Sequence, residues 1–166
     1  MQEPWVNMAR IYISVFYSFI SYSQEYQSLN QIKFDQIHSV GFTLPQGTRQ
    51  PIFEDSAFIY FITQKTKVLD FLIDQICDTT LSNVEWKSSN GFLKKGDLAT
   101  ILLSYIEFIP YASITGGQWC ICCETGYIPV NFFSYLDRNR LEFQSKYKKY
   151  CAEKALKRKP KRNKKR

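Results

Sequence analysis

Three cysteines within four residues are the first feature of this sequence that could do chemistry. Cys120, Cys122 and Cys123 lie in the stretch C-I-C-C, and thiolates are common ligands of structural zinc. A zinc site needs four ligands, usually from two paired knuckles, and the sequence contains no second knuckle. On a strand, Cys120 and Cys122 would share one face while Cys123 would lie on the other. We therefore expect these side chains to pack in a core, and we predict no metal site and no other cofactor.

The remaining reactive side chains do not form a recognisable catalytic motif. His38 is the only histidine and has no obvious partner in the sequence. Neither a nucleophile–base pair nor a phosphate-binding loop is found, which argues against an enzyme. The five cysteines are an odd number without the spacing of a disulfide scaffold. This favours a reducing compartment, so we predict a cytoplasmic protein, with the nucleus as the alternative.

Charge is divided unevenly along the chain. From Arg138 to Arg166 there are 14 Lys/Arg and 2 Asp/Glu, a net charge of +12, whereas the first 137 residues carry 8 Lys/Arg and 13 Asp/Glu, a net charge of −5. The last ten residues are too charged and too poor in apolar side chains to fold. Eight of them are candidates for binding a polyanion: Lys157, Arg158, Lys159, Lys161, Arg162, Lys164, Lys165 and Arg166. The predicted partners are RNA or DNA phosphates or anionic lipid, and a solvated tail without a partner remains the alternative.

The cysteines must be positioned by the stretch from Trp119 to Asp137. Two short apolar runs separated by a turn at 124–126 are typical of a β-hairpin. Pro129 cannot donate to a strand ladder, so the second strand should end there. A tight turn should follow and bring an aromatic side chain beside the proline. We therefore expect Trp119, Pro129 and Phe132 to share one surface.

These residues resemble motifs of the SH3 domain. The segment G-Y-I-P-V-N-F, Gly126 to Phe132, is similar to the closing signature of that family. Upstream, L-K-K-G-D-L-A-T-I-L, Leu93 to Leu102, resembles the diverging turn and the strand after it. Gly116 to Trp119 resembles the approach to the ligand-facing tryptophan. The motifs follow the family's order, and the resemblance implies a mostly β protein with a small SH3-like barrel.

The resemblance also implies a function. SH3 domains are protein-interaction modules of adaptors and scaffolds, and they bind proline-rich segments in polyproline II form. Five residues are candidates for the peptide site: Trp119, Pro129 and Phe132 in the groove, with Asp78 and Glu85 beside it. Ile73 and Gln75 stand where the family has groove tyrosines, which predicts weak binding. The alternative is a nucleic-acid- or ribosome-associated protein in which the barrel only carries the basic tail.

We predict three segments. They are an aromatic N-terminal segment and linker at 1–67, an SH3-like domain at 68–137, and a basic tail at 138–166 that is helical and then disordered. Within the first, the apolar stretch from Met1 to Tyr22 fits a helix or a pair of strands, and we favour the helix. Ser23 to Glu54 has the composition of a linker. The stretch 11–22 is too short to span a membrane, which takes about 20 apolar residues. Lys65 to Cys77 fits one face of a helix as well as the first strand of a barrel, so both remain open.

Overall fold

Helices make up most of the structure. The computed structural model describes residues 20–21, 23–43, 52–86, 91–120, 128–129 and 131–158. Its elements are α1 (20–35, residue 22 excepted), β1 (Phe42–Thr43), β2 (Ile52–Phe53), α2 (Ser56–Gln64), a 3-10 turn (Lys65–Val68), α3 (Leu69–Gln75), β3 (Leu81–Trp86), β4 (Gly91–Lys94), α4 (Lys95–Ile106), α5 (Tyr111–Thr115) and α6 (Phe132–Arg158). The described strands form two antiparallel pairs, β1–β2 and β3–β4. The prediction of a mostly β, SH3-like barrel is therefore wrong.

The buried helix α4 explains why the strand prediction failed. The sequence predicts a turn at Lys94–Asp97 and a strand at Leu98–Leu103, but α4 covers both, and all of residues 96–104 are buried. A run that is apolar on every side shows no period, so it suits a buried helix as well as a strand. The Asp97 carboxylate accepts the backbone N–H of Lys94 at 3.3 Å. The polar residues that were expected to form a turn therefore cap a helix.

Gly96 allows α4 to lie close to the chain after α3. A Cβ atom at this position would be 2.2 Å from the carbonyl oxygen of Ile76 and 2.6 Å from Nη1 of Arg140. The Gly96 N–H also donates to the carbonyl oxygen of Asp78 at 2.8 Å. Any side chain here would push α4 away from its neighbours.

The segment that could be either helix or strand is helical. The 3-10 turn and α3 occupy most of Lys65 to Cys77, and Leu72, Ile73 and Ile76 are buried. Ile73, which the resemblance places at a groove position, is thus a core residue. The helical alternative is confirmed, and the first strand of the expected barrel is not formed.

One hydrophobic core draws on all three predicted segments. Phe34 of α1 packs edge-on against Phe61 of α2, with ring centroids 5.8 Å apart. Leu136 and Phe143 of α6 belong to the same core as these two residues. Because most of α1, from residue 23 to residue 35, falls in the stretch predicted to be a linker, that prediction is wrong for this part. Within the described residues, no helix is both long and apolar enough to cross a membrane.

The two terminal predictions have different outcomes. The helix predicted from Arg138 to Leu156 is confirmed within α6, which begins at Phe132 and has a kink at Asn139, where φ is −132° and ψ is 22°. Most of the helix predicted at 1–22 lies outside the described residues. So do the last residues of the chain, from 159 onward, which were predicted to be disordered.

Candidate functional site

The structure brings the three predicted groove residues together, but beneath the surface. Trp119 is half-buried: its Nε1 donates to Oγ1 of Thr115 at 2.7 Å, and its ring packs edge-on against Phe132 at 5.3 Å. The backbone N–H of Phe132 donates to the carbonyl oxygen of Pro129 at 3.1 Å, which closes a turn. Phe132 is fully buried and Pro129 is buried as well. These residues form a packed cluster and do not line an exposed groove.

The two predicted acidic residues make local contacts. Asp78 accepts hydrogen bonds from the backbone N–H and the hydroxyl of Thr80, at 2.8 and 2.7 Å, in the turn after α3. Glu85 is exposed on β3, opposite Phe92 of β4. Their role in pairing with a basic ligand stays a prediction, and the barrel that was to place them beside a groove is not formed.

The cysteine run is only partly described. Cys120 is exposed, so the prediction of core packing is wrong for this residue. Cys122, Cys123 and the turn at 124–126 lie outside the described residues. Across the ranges that the structure does describe, no group of three or more His, Cys, Asp and Glu side chains could hold a metal ion.

Two other thiols, those of Cys77 and Cys151, are half-buried. Burial raises the pKa of Cys77, against a smaller opposing effect of Arg140. Burial likewise raises the pKa of Cys151 in α6. Both thiols are therefore protonated at neutral pH, unlike an activated nucleophile.

The best-defined candidate site is the outer surface and the C-terminal end of α6. The inner side of this helix is anchored by aromatic rings. Phe132 packs edge-on against Phe143 at 5.1 Å, and Phe143 stacks on Tyr147 at 5.9 Å. All three rings are fully buried. This packing fixes which side of α6 faces the solvent.

Polar contacts attach α6 to α3 and α4. Arg140 donates from Nη1 to the carbonyl oxygen of Ile76 at 3.1 Å and from Nη2 to Oδ1 of Asp97 at 2.7 Å. Gln144 donates from Nε2 to the carbonyl oxygen of Ile73 at 2.8 Å. Arg140 was not predicted to be a site residue, because by composition it is one of the cations of the tail. A signal was present: Leu136, Arg140, Phe143 and Tyr147 recur at the spacing of one helix face.

Several lysines on the outside of α6 are already neutralised. Three lysines of α6 form ion pairs with carboxylates: Lys146 with Glu142 at 2.6 Å, Lys148 with Asp74 at 2.9 Å, and Lys154 with Glu107. Hydrogen bonding to Glu142 raises the pKa of Lys146, and hydrogen bonding to Asp74 raises that of Lys148. Lys148 and Lys154 hold α6 to other elements, whereas the pair of Lys146 and Glu142 lies within the helix.

Other cations of α6 remain unneutralised. Arg138, Lys149 and Lys157 are exposed, and no carboxylate within the described part of the chain lies within salt-bridge distance of them. The cationic run of the tail continues directly from Lys157. Lys157 thus connects the end of α6 with the cationic run of the tail, whereas Arg138 and Lys149 lie earlier on the helix.

Comparison with known proteins adds nothing to this geometry. No family model matches the chain, and neither a curated protein nor a solved structure shows significant similarity to it. The function is therefore inferred from the charges, burial and contacts of this chain alone.

The loop between α4 and α5 borders the basic end of α6. Glu107 pairs with Lys154, whose Nζ also lies 5.7 Å from the centroid of the Tyr150 ring. Tyr111, at the start of α5, packs edge-on against Phe132 at 4.6 Å. Burial raises the pKa of the Tyr111 hydroxyl, which stays neutral at physiological pH. Glu107, Lys154 and the Tyr150 ring thus meet near the C-terminal end of α6, whereas Tyr111 contacts the first residue of the helix, Phe132.

Proposed function

We propose that the protein binds a nucleic acid through the unpaired cations at the end of α6 and the basic residues that follow. One observation carries this proposal. The carboxylates that face α6 already form ion pairs with cations of that helix: Asp97 with Arg140, Asp74 with Lys148 and Glu107 with Lys154. No acidic residue lies among the eight cations from Lys157 to Arg166. A phosphodiester chain offers regularly spaced charges that suit such a run.

A nucleic acid fits the described surface better than a membrane does. A helix that lies on a membrane needs a continuous apolar face directed at the lipid. The apolar face of α6 is buried in the core. Its exposed large apolar side chains, Leu141 and Leu156, lie roughly 22 Å apart along the helix, with Lys148 and Lys149 between them.

A proline-rich ligand has less support than a polyanion. That function was implied by a groove formed by Trp119, Pro129 and Phe132. Pro129 and Phe132 are buried, and Trp119 is half-buried against Phe132. They offer little surface to a peptide, whereas the cations of α6 are exposed.

The test measures the affinity of the full chain for labelled RNA, single-stranded DNA and duplex DNA of the same length. Binding is detected by fluorescence anisotropy at a series of salt concentrations. Counterion release should make log affinity fall linearly with log salt. Deletion of Lys157 to Arg166 should reduce the slope by up to about 6 on a single strand, which is about 0.7 for each of eight neutralised phosphates. The proposal fails if the truncated protein keeps its affinity and slope. It also fails if the intact chain prefers anionic vesicles to all three nucleic acids.

Two lysines of α6 provide a matched comparison. Lys149→Gln removes an unpaired charge, whereas Lys146→Gln removes one already paired with Glu142. The change in net charge is the same. Loss of a phosphate contact should lower the salt slope by about 1 for Lys149→Gln, and Lys146→Gln should leave it nearly unchanged. Equal effects would show that α6 contributes only net charge and that the tail alone contacts the ligand.

A further inference from the structure

The side chain of Phe108 is exposed to solvent beside the basic end of α6. It is 71% exposed, more than any other described aromatic residue, while the adjacent Ile109 is buried. Its other neighbour, Glu107, pairs with Lys154 of α6. Adjacent Cα atoms are about 3.8 Å apart, so Phe108 lies close to this ion pair. The loop is thus fixed on both sides of an outward-facing ring.

Two lysines near the C-terminal end of α6 lie on the helix side of this position, one paired and one with no ion-pair partner in the described part of the chain. Lys154 lies near Glu107 and over the Tyr150 ring. Lys157, which is exposed, lies about 4.5 Å further along the helix axis. The tail continues from there. A ligand chain held by these charges would pass within reach of the exposed ring.

We propose that Phe108 and the basic end of α6 form one binding site for single-stranded nucleic acid, in which the Phe108 ring stacks on an unpaired base. This inference rests on the proposed function. In a duplex the base faces are covered by their neighbours, whereas a single strand can place a base on an aromatic side chain. Such stacking tolerates any sequence, because every base has a π face. The site therefore distinguishes single strands from duplexes and does not read sequence.

Exposure of a single apolar side chain is common and would not by itself indicate a site. Phe92 illustrates this, because it is 55% exposed on β4 but lies opposite Glu85. A base stacked there would bring its phosphates near a carboxylate. Phe108 differs because the carboxylate beside it, Glu107, is already paired with Lys154, whereas Glu85 has no ion-pair partner within the described residues. Phe92 is therefore a suitable control position.

The experiment uses the full chain with four variants and three probes. The variants are Phe108→Ala, Phe108→Leu, Phe108→Tyr and the control Phe92→Ala. The probes are a mixed-sequence single strand, an abasic strand of the same length and charge, and a duplex. Thermal melting of each variant checks that the fold is retained, which is expected for so exposed a position.

Phe108→Ala should weaken single-strand binding about tenfold at fixed salt, with an unchanged salt slope and unchanged duplex binding. Phe108→Leu should behave in the same way because it lacks a π face, and Phe108→Tyr should bind as wild type does. The wild-type protein should bind the abasic strand as weakly as Phe108→Ala binds the normal strand. Phe92→Ala should have no effect.

The contradicting outcomes separate the two proposals. If the wild-type chain binds neither strand nor duplex, the proposed function and this inference are both wrong. If it binds with a steep salt slope but Phe108→Ala keeps full single-strand affinity, only the stacking site is wrong. If Phe108→Ala instead loses affinity for anionic vesicles, the ring inserts into lipid and the inference is overturned.

Discussion

Arg140 and Asp97 form an ion pair inside the protein. Nη2 of Arg140 lies 2.7 Å from Oδ1 of Asp97, and the two side chains are 7% and 8% exposed. The same Nη2 is 2.9 Å from Oδ1 of Asp137, which also accepts from Nζ of Lys94 at 2.6 Å. The network therefore runs from the core to the surface and connects α6 with the start of α4.

Burial opposes ionisation of both members of the internal pair. It raises the pKa of Asp97, although Arg140 acts in the opposite direction. Burial would lower the pKa of Arg140, but hydrogen bonds to Asp97 and Asp137 outweigh it and raise that pKa. The guanidinium stays charged and depends on its partner for compensation.

Asp97→Ala should therefore destabilise the protein by about 3–5 kcal/mol, because it leaves the buried Arg140 charge with only the half-exposed Asp137 as a partner. Removing both charges, in Asp97→Ala with Arg140→Met, should cost less than the single change. Urea denaturation of the wild type, both single variants and the double variant gives the coupling energy. A loss of only about 1 kcal/mol for Asp97→Ala would contradict this, because it would show that the pair contributes no more to stability than a solvent-exposed ion pair does.

Asp55 connects the start of α2 to the chain after α1. Its Oδ1 accepts the backbone N–H of Phe58 at 2.9 Å, and its Oδ2 accepts those of His38 and Ser39 at 2.8 and 3.1 Å. Burial would raise the pKa of Asp55, but these hydrogen bonds outweigh it and hold the pKa below its ordinary value. The ionised carboxylate therefore stabilises the folded state.

This contribution should be complete above the unfolded pKa of about 4 and disappear as pH falls through the lower folded-state pKa. Asp55→Ala should cost about 1 kcal/mol at neutral pH through loss of the helix cap. Asp55→Asn keeps a capping acceptor, so it should lose less stability and should show a weaker pH dependence in this acid range. Urea denaturation over a pH series measures both effects. If the stability of Asp55→Asn falls with acid as steeply as that of the wild type, the acid sensitivity comes from another carboxylate.

Trp119→Ala should lower the stability of the protein by about 2 kcal/mol, since it removes packed ring surface and a hydrogen bond. The ring contacts both Phe132 and Tyr135, each at 5.3 Å. Trp119→Phe keeps an aromatic ring and should lose less. Thermal melting compares the variants. If Trp119→Ala melts like the wild type and loses affinity for a proline-rich peptide, the role implied by the SH3 resemblance is correct after all.

The described cysteines should differ in reactivity. Cys120 is exposed and should react rapidly with a neutral thiol reagent, whereas Cys77 and Cys151 are half-buried with raised pKa values and should react slowly. Native-state labelling followed by mass-spectrometric mapping gives the rate at each site, and labelling in denaturant is the control. Equal native rates at Cys120 and Cys151 would show that the end of α6 opens readily.

Features that depend on composition or local period were predictable from the sequence. Counting the charged residues along the sequence is enough to show that a negative body is followed by a basic tail. The helix at Arg138 to Leu156 and the helical alternative at Lys65 to Cys77 follow from apolar residues at helix spacing. The turn at Pro129 was also expected from residue types, and the Phe132 N–H does close one there.

Other features were decided only by contacts between distant parts of the chain. The run Leu98 to Leu103 is apolar on every side, so its own sequence cannot distinguish a strand from a helix. It is a helix because neighbouring elements cover its whole circumference. Trp119 and Phe132 fit an SH3 motif locally, but packing against Tyr111 and Phe143 turns Phe132 inward.

Arg140 shows the same limit for charge. By composition it is one of 14 cations near the C-terminus, and its helix spacing only suggests that it faces the core. Its role depends on Asp97, which lies 43 residues earlier in the chain. Residue types determine which charges exist, whereas tertiary structure determines which are paired within the core and which remain for a ligand. The physical reason is that pairing depends on distance in space and on burial, and neither can be obtained from separation along the chain.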